Sequence, residues 1–294
     1  MSNLVIIKYI QKGRQMERKI SQQARGYRTQ DGAGVSLVRV LGNQTVQMFD
    51  PILMLDSFDS INPDDYSGGF PLHPHRGIET ISYVYHGQMT HKDSLGNEDT
   101  IGDGEVQWMT AGSGILHEEK LPAANRLLGV QLWLNLPAKD KMCPPEYKSI
   151  KNAEITEIKI ENGKLRLLAG NYGKYKGYMS RYLPLDYYDI HLDPKASISL
   201  GTKSERSVMV FTLLGNVYVS GELVKEKTAV KLTAGELIEI KATEQSAQVL
   251  FVSSEYLNEP VAWGGPIVMN TREELNQAFA DLRAGTFLQK KIKY

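Results

Sequence analysis

Two short clusters of metal-binding residue types stand out in this sequence, His73-Pro74-His75 and His117-Glu118-Glu119. Side chains two residues apart in a β-strand point to the same face. His73 and His75 therefore project together wherever the backbone is extended. Pro74 favours an extended backbone, because it disfavours the helical region for the residue before it and fixes its own φ. The spacing predicts a pair of imidazoles on one face of a strand.

The second cluster has the same spacing, so His117 and Glu119 share a face while Glu118 points the other way. If the two pairs meet across a small β-barrel, three imidazoles and one carboxylate surround one point. That donor set suits a first-row transition metal that keeps open positions for a substrate, and iron is the natural candidate. Three of the chain's six histidines belong to these clusters, which favours a site over scattered surface histidines.

Glu79 competes with Glu119 for the carboxylate position. It has the same parity as His73 and His75, so it would face inward if the strand were regular. Geometry alone leaves both glutamates open. Glycines border both clusters and allow tight turns there: Gly68, Gly69 and Gly77 for the first, and Gly112 and Gly114 for the second.

The composition excludes several classes of protein. A chain of 294 residues fits two domains of ordinary size. Lys+Arg and Asp+Glu both number 34, so the basic surface of a direct nucleic-acid binder is missing. No apolar run reaches membrane-spanning length, and no signal-peptide pattern is present. The single cysteine, Cys143, excludes an intrachain disulfide framework and is interpreted as structural. We expect a soluble cytoplasmic protein.

The first half of the chain reads as a series of short strands. Residues 1 to about 20 are mixed and basic, which predicts an irregular leader or a first edge strand, and Met16 leaves the true start open. Alternating apolar runs follow, such as residues 78–85 and 130–136, and Gly-rich corners such as residues 111–114 separate them. Many short strands at regular spacing predict an all-β barrel or sandwich.

The second half repeats the style of the first. Residues 208–215 echo residues 81–87, and residues 232–240 echo residues 101–109. In each copy a strand ends in glycine, and a Gly-Glu pair then opens a later strand. This weak internal duplication predicts two similar barrels packed together.

The proline- and lysine-rich residues 137–145 are the predicted linker. We therefore place an N-terminal metal-binding barrel at residues 1–137 and a C-terminal barrel at residues 138–294. The only histidine of the second half, His191, has no partner two residues on. It is interpreted as structural, and the second barrel is predicted to lack metal ligands.

The chain closes with a predicted helix that begins after Thr271. Thr271 and Glu274 form a capping box. Four residues make its apolar stripe: Leu275, Ala278, Phe279 and Leu282. Residues 263–270, just before the helix, are predicted to be a buried return segment outside any site.

Other polar groups receive structural interpretations. His86 and His91 are predicted to be solvated strand ends. Arg76 is interpreted as a strand-end arginine and Trp108 as a core tryptophan. Three lysines at or near the linker are predicted to form a solvated face: Lys139, Lys141 and Lys148.

Residues 69–83 and 107–119, which contain the two clusters, closely resemble the pirin family, a branch of the bicupins. The likeness covers nearly the whole chain, including residues 50–56 and 265–271. It implies two cupin-type β-barrels that face one another, with Fe(II) in the N-terminal barrel. The sequence departs slightly from the family pattern at Glu118 and Lys120, and neither position bears on coordination.

The resemblance carries four ligands onto this chain: His73, His75, His117 and Glu119. The family takes its glutamate from the second motif, which favours Glu119 over Glu79. Fe(II) is the expected metal, with other divalent transition metals as alternatives. A purely structural metal is disfavoured, because closed structural sites are usually rich in cysteine.

The resemblance also implies two alternative functions. Some pirin-like proteins open the ring of the flavonol quercetin with O₂, and others are iron-dependent modulators of transcription factors or metabolic enzymes. We expect the dioxygenase, with a small flavonol-like aromatic substrate, O₂, and Glu119 as ligand and catalytic proton acceptor. The alternative is a non-catalytic regulator whose metal alters the surface offered to a protein partner.

Overall fold

The structure is a computed structural model that describes residues 16–289. The leader predicted for the first residues lies mostly outside this range. No helix within the range is long and apolar enough to cross a membrane.

Short antiparallel strands make up most of the described chain. The strands of the first half are β1 (Ile20–Arg25), β2 (Tyr27–Asp31), β3 (Val35–Leu41), β4 (Ile52–Ser60), β5 (Phe70–His75), β6 (Ile78–His86), β7 (Met89–Asp93), β8 (Glu98–Ile101), β9 (Glu105–Thr110), β10 (Ile115–Lys120) and β11 (Leu127–Asn135). One short helix, α1 (Val46–Phe49), lies between β3 and β4.

The second half continues in the same manner. Its strands are β12 (Glu146–Ile150), β13 (Thr156–Ile160), β14 (Gly163–Ala169), β15 (Asn171–Tyr172), β16 (Tyr175–Lys176), β17 (Leu185–Leu192), β18 (Ser197–Gly201), β19 (Ser207–Leu214), β20 (Val217–Val219), β21 (Glu222–Val224), β22 (Thr228–Leu232), β23 (Leu237–Ala242), β24 (Ala247–Ser254), β25 (Ala262–Gly264) and β26 (Ile267–Met269). Helix α2 (Arg272–Ala284) follows them. Four 3-10 turns punctuate the described chain: Asn43–Thr45, Pro63–Asp65, Ala138–Asp140 and Asn152–Glu154.

The sandwich of each half is built from one large and one small sheet, and two further two-stranded sheets, β15-β16 and β25-β26, lie in the second half. The first half has a seven-stranded sheet in the order β12-β9-β6-β11-β4-β3-β2 and a four-stranded sheet in the order β5-β10-β7-β8. The second half has the orders β1-β22-β19-β24-β17-β14-β13 and β18-β23-β20-β21. Among residues 16–289, each pair of sheets forms a jelly-roll sandwich with open edges instead of a fully closed barrel.

Two strands cross from one half to the other. Strand β1 pairs with β22 in the large sheet of the second half, and β12 pairs with β9 in the large sheet of the first. The division at residues 137/138 stays a prediction, and these two strands tie together the halves that it separates.

The two large sheets pack face to face through one apolar cluster. Ile81 and Trp108 from the first sheet share this cluster with Phe211 and Leu250 from the second. All four side chains are buried. The packing confirms the predicted all-β fold of two similar units packed together, in which each predicted barrel is a jelly-roll sandwich.

The interiors of the two halves differ in polarity. The second is filled by a continuous apolar cluster that joins both of its sheets. The first has two separate apolar clusters, and strand β6 contributes Ile78 to one and Val84 to the other. Between these two positions the inward-facing residues of β6 are the buried Thr80 and Ser82. A polar layer therefore crosses the interior of the first half only.

Helix α2 begins as its sequence predicts. Thr271 accepts a hydrogen bond from the Glu274 backbone N–H, and the Glu274 side chain accepts from the Thr271 N–H. Gly285 ends the helix in the left-handed conformation, with φ of 71°. The predicted stripe packs against three buried residues: Ile267, Met269 and Phe287.

Arg76 links this helix to the strand that carries His73 and His75. Its guanidinium is buried, donates to the carbonyls of Ser113 and Phe287, and pairs with Asp281 of α2 at 2.7 Å. It also lies over the Phe287 ring at 4.2 Å.

A buried polar network joins the two large sheets. Tyr83 of the first half donates to Asp189 of the second at 2.5 Å, and Arg166 donates to the Tyr83 hydroxyl at 2.7 Å. His191 and Gln248 also donate to the Asp189 carboxylate. His191 therefore has the structural surroundings that its isolation in the sequence predicted.

Replacing Tyr83 by Phe is expected to destabilise the protein, because it removes one hydrogen-bond partner from the buried side chains of both Asp189 and Arg166. The free energy of unfolding, measured by urea denaturation, should fall by about 1–3 kcal/mol. Tyr218→Phe is the matched control, since that side chain is 40% exposed, and it should change stability by less than about 0.5 kcal/mol. Equal effects of the two changes would show that the network contributes nothing to stability.

Candidate metal centre

Three of the four predicted ligands converge in the first half. Strand β5 carries His73 and His75, and β10 pairs with it so that His117 lies opposite His73. One ligand nitrogen of each ring lies within 4.8 Å of the other two. His75 and His117 are buried, and His73 is partly accessible.

Hydrogen bonds fix the tautomers of His73 and His75. Their Nδ1 atoms lie 2.8 Å from the carbonyl oxygens of Pro71 and Pro266, respectively. A carbonyl only accepts, so each Nδ1 carries the proton and each neutral ring keeps a lone pair on Nε2. The two Nε2 atoms are 3.0 Å apart. Two lone pairs at that distance repel each other unless a metal ion or a proton lies between them.

His117 completes the cluster with another free nitrogen. Its Nε2 is buried and has no hydrogen-bond partner, whereas its Nδ1 lies 3.3 Å from His91 Nδ1. Burial above all, and then the neighbouring imidazoles, lower the pKa of His117 well below its ordinary value. Burial and His73 likewise lower the pKa of His75 to about 3. Both rings are therefore neutral at physiological pH, as metal ligation requires.

These observations fit a divalent transition metal. A buried nitrogen lone pair without a partner is costly unless a metal or a proton donor satisfies it. His73, His75 and His117 would supply three Nε2 donors, and the Nδ1–H groups of His73 and His75 are held away from the metal by carbonyl oxygens.

Glu119 lies on the predicted face but outside the three-histidine group. A bulge between His117 and Glu119 places Glu119 opposite Phe70. Its buried carboxylate accepts hydrogen bonds from the side-chain amides of Gln107 and Gln131, the latter at 3.0 Å. Its role as fourth ligand stays a prediction.

Glu79 faces away from the cluster. Gly77 has φ of 79° and interrupts the strand between His75 and Ile78, so the parity argument does not extend across it. Glu79 shares a face of β6 with Ile81, which packs toward the second half. Its buried carboxyl accepts from the Thr110 hydroxyl at 2.6 Å. The structure therefore does not support Glu79 as a rival ligand.

A cavity of about 730 Å³ leads to the cluster. Its wall includes both β5 histidines and two tryptophans, Trp133 and Trp263, whose ring centres are 5.6 Å apart. The Trp133 ring meets the His75 ring edge to face at 5.0 Å.

Arg39 forms a charged part of the cavity wall that the sequence analysis missed. It makes two hydrogen bonds to Asp56, at 2.9 and 2.7 Å, and one to Asp31 at 2.7 Å. A charge inside the alternating apolar run of residues 35–41 was the available signal. Two carboxylates surround this one guanidinium, so the wall offers no free positive charge to an anionic substrate.

Three structural interpretations from the sequence are wrong. His91, predicted to be solvated, is fully buried. Lys141, predicted to lie on a solvated linker face, is buried and donates to the carbonyls of Gly77 and Val268. The return segment, predicted to lie outside any site, supplies the Pro266 carbonyl that holds His75. The contacts of Lys141 and Pro266 join residues far apart in sequence, which strand periodicity cannot reveal.

Comparisons with known proteins match both halves of the chain. The family model described as Pirin matches residues 34–134, and the one described as Pirin C-terminal cupin domain matches residues 187–288. The chain is 40% identical to a pirin-like protein of Caulobacter vibrioides, over 92% of this chain and 99% of the relative. It is 34% identical to human pirin, over 86% and 88% of the two chains.

A solved structure shows the same fold. The crystal structure of a quercetin 2,3-dioxygenase from Acinetobacter baumannii superposes with a TM-score of 0.86 at 33% identity. The match covers 92% of this chain and 98% of that one. The cupin type that was expected for the two sandwiches is thereby confirmed.

Removing His117 is expected to abolish tight metal binding, because it removes one of three donors. In His117→Ala the affinity for Ni²⁺, measured by competition with a chromogenic chelator, should fall by more than about 100-fold. His86→Ala is the matched control, since His86 is half-exposed, pairs with Asp103 at 3.6 Å and lies outside the three-histidine group. Equal Ni²⁺ affinity in the two variants would contradict the site.

Glu79→Gln is expected to change stability in a pH-dependent way and to leave Ni²⁺ affinity unchanged. Burial raises the pKa of Glu79 from 4.5 to about 7 in the folded protein. Between these values the folded state holds a proton that the unfolded state has lost, so stability falls as pH rises from about 4.5 and levels off above about 7. The loss amounts to about 3 kcal/mol.

Urea denaturation of wild-type protein and Glu79→Gln across this pH range measures the effect. The stability of the variant relative to wild type should increase from pH 4.5 to pH 7. A difference that is independent of pH, or reduced Ni²⁺ affinity in the variant, would contradict this account of Glu79.

Proposed function

The chain belongs to the pirin family, and we propose that it is a metal-dependent dioxygenase that opens the ring of flavonols such as quercetin with O₂. One observation carries the proposal. Three imidazoles converge with one ligand nitrogen of each within 4.8 Å of the other two, and two of the rings line a cavity with aromatic walls. The likeness to the Acinetobacter baumannii quercetin 2,3-dioxygenase supports the same reaction class.

Fe(II) is the metal we propose, with other divalent transition metals as alternatives. When bound, such an ion would supply Lewis acidity toward a substrate oxygen and the electron-transfer capacity that O₂ chemistry needs. His73, His75 and His117 would hold it, with Glu119 as the proposed fourth ligand. Imidazole binds a metal in its neutral form, so the metal's positive charge would be only partly compensated and would favour a deprotonated substrate hydroxyl.

The cavity suits a flat, uncharged aromatic molecule. Trp133 and Trp263 offer ring faces and edges against which a planar substrate can pack. The positive charge of Arg39 is neutralised by its ion pairs with Asp56 and Asp31. The wall would therefore bind a neutral polyphenol without attracting a polyanion.

Glu119 is the proposed acceptor of the substrate's hydroxyl proton. Gln131 lines the cavity and donates to the Glu119 carboxylate, so this amide connects the carboxylate with the substrate space. Gln107, on strand β9 of the large sheet, donates to the same carboxylate, whereas Gln131 is on strand β11 of that sheet. Two amide donors would hold the Glu119 carboxylate in a fixed orientation behind Gln131, which lines the cavity.

Glu119→Gln is expected to abolish quercetin-dependent oxygen uptake by the iron-loaded protein. Loss of a positioned general base lowers turnover by about 10²–10⁴-fold, and loss of a ligand oxygen adds to this. Glu118→Gln is the matched control, because Glu118 is on the same strand but points to the other face. Its uptake should equal that of the wild type.

Undiminished quercetin cleavage by Glu119→Gln would refute the role of this residue. No oxygen uptake by iron-loaded wild-type protein with several flavonols would contradict the dioxygenase and favour the non-catalytic regulator that binds a protein partner.

A further inference from the structure

A buried chain of hydrogen bonds runs from Asp93 through His91 to His117. We infer that His91 and Asp93 are positioning residues that hold His117 in the tautomer whose Nε2 is free for the metal. This inference rests on the metal site proposed above. Neither residue belongs to the three-histidine group itself.

The Asp93 carboxylate sets the direction of the chain. Its Oδ1 accepts the backbone N–H groups of Leu95 and Asn97, at 2.8 and 3.1 Å. Its Oδ2 accepts from the Asn97 side chain and lies 2.9 Å from His91 Nε2. Burial raises the pKa of Asp93, but the hydrogen bonds from His91 and Asn97 more than offset this and hold it below its ordinary value. An ionised carboxylate can only accept, so His91 Nε2 carries a proton.

The proton on His91 Nε2 determines the state of His117. In neutral His91 the other nitrogen, Nδ1, is then an acceptor, and it lies 3.3 Å from His117 Nδ1. His117 must donate its Nδ1 proton there. Its Nε2 is left bare and faces His73 and His75. In the opposite tautomer an Nε2–H bond would point into the cluster and block the metal.

Tyr147 holds the plane of the His91 ring. The two rings stack with centroids 4.1 Å apart and planes 8° apart. Tyr147 lies on β12, the strand that the second half contributes to the large sheet of the first. This stacking alone could account for His91 if the residue only packed against Tyr147. Stacking and hydrogen bonding therefore need separate tests.

Two substitutions at His91 separate these roles. His91→Phe keeps a flat ring against Tyr147 but cannot accept the His117 proton. His91→Asn loses the stacking but places a side-chain oxygen near the former Nδ1 position, where it can accept. The positioning role predicts a Ni²⁺ affinity that is about 10–100-fold lower in His91→Phe and within about 3-fold of wild type in His91→Asn. A packing role predicts the reverse order.

Asp93→Asn tests the same chain without removing a packing atom. The two backbone N–H groups at Oδ1 require the Asn oxygen at that position, so its NH₂ group must face His91. His91 would then carry its proton on Nδ1, and His117 would be driven to the Nε2–H tautomer. Ni²⁺ affinity should again fall about 10–100-fold.

The experiment measures Ni²⁺ affinity by chelator competition for wild type, the three variants and the control His86→Phe. The histidine tautomers of metal-free, ¹⁵N-histidine-labelled protein are read by NMR. Wild type and His91→Asn should show His117 Nε2 as the unprotonated nitrogen, and Asp93→Asn should show it protonated. Thermal unfolding of each metal-free variant identifies any that does not fold, in which case the remaining variant decides.

Wild-type Ni²⁺ affinity in both His91→Phe and Asp93→Asn, with His117 Nε2 still unprotonated, would overturn the inference and leave the metal site intact. Failure of wild-type protein to bind Ni²⁺ would instead overturn the site, and the inference with it. Lower affinity in His91→Asn than in His91→Phe would assign His91 to packing and also overturn the inference.

Discussion

The site depends on one constraint: three imidazoles must present bare Nε2 atoms to a single buried point. A neutral imidazole always carries a proton on one nitrogen, so each ring needs an acceptor on its Nδ1 side. Three different segments supply these acceptors, namely Pro71 just before the ligand pair, Pro266 in the return segment and His91 on β7. The fold brings each of these three acceptors next to the Nδ1 atom of one ring.

This constraint accounts for the difference between the two halves. Both are jelly-roll sandwiches of the same strand count, but the interior of the second is continuous apolar packing. The first gives up part of its apolar core to a polar layer around Glu119, which includes Gln107 and Gln131. Buried polar layers are stable only when their members are satisfied. The second half contributes to this site: strand β12, which carries Tyr147, joins the large sheet of the first half, and the Pro266 carbonyl accepts from His75.

The sequence predicts well whatever follows from local periodicity. The i,i+2 spacing placed His73 and His75 on one face, the turn signals indicated an all-β chain, and Thr271 with Glu274 marked the start of the last helix. Prediction fails where one residue interrupts the alternation of side chains along a strand, or where contacting residues are distant in sequence. Gly77 turned Glu79 away from the site, and the exchange of β1 and β12 has no local signature. His91 and Lys141 look solvated in sequence because distant segments bury them: Tyr147 stacks on the His91 ring, and the carbonyls of Gly77 and Val268 accept from Lys141.

The most direct test is a crystal structure of the Fe(II)-loaded protein with anomalous diffraction measured at the iron edge. The account predicts one anomalous peak about 2 Å from the Nε2 atoms of His73, His75 and His117, with the three Nδ1–H bonds unchanged. A peak elsewhere, ligation through Nδ1, or histidines that remain apart without a peak would contradict it.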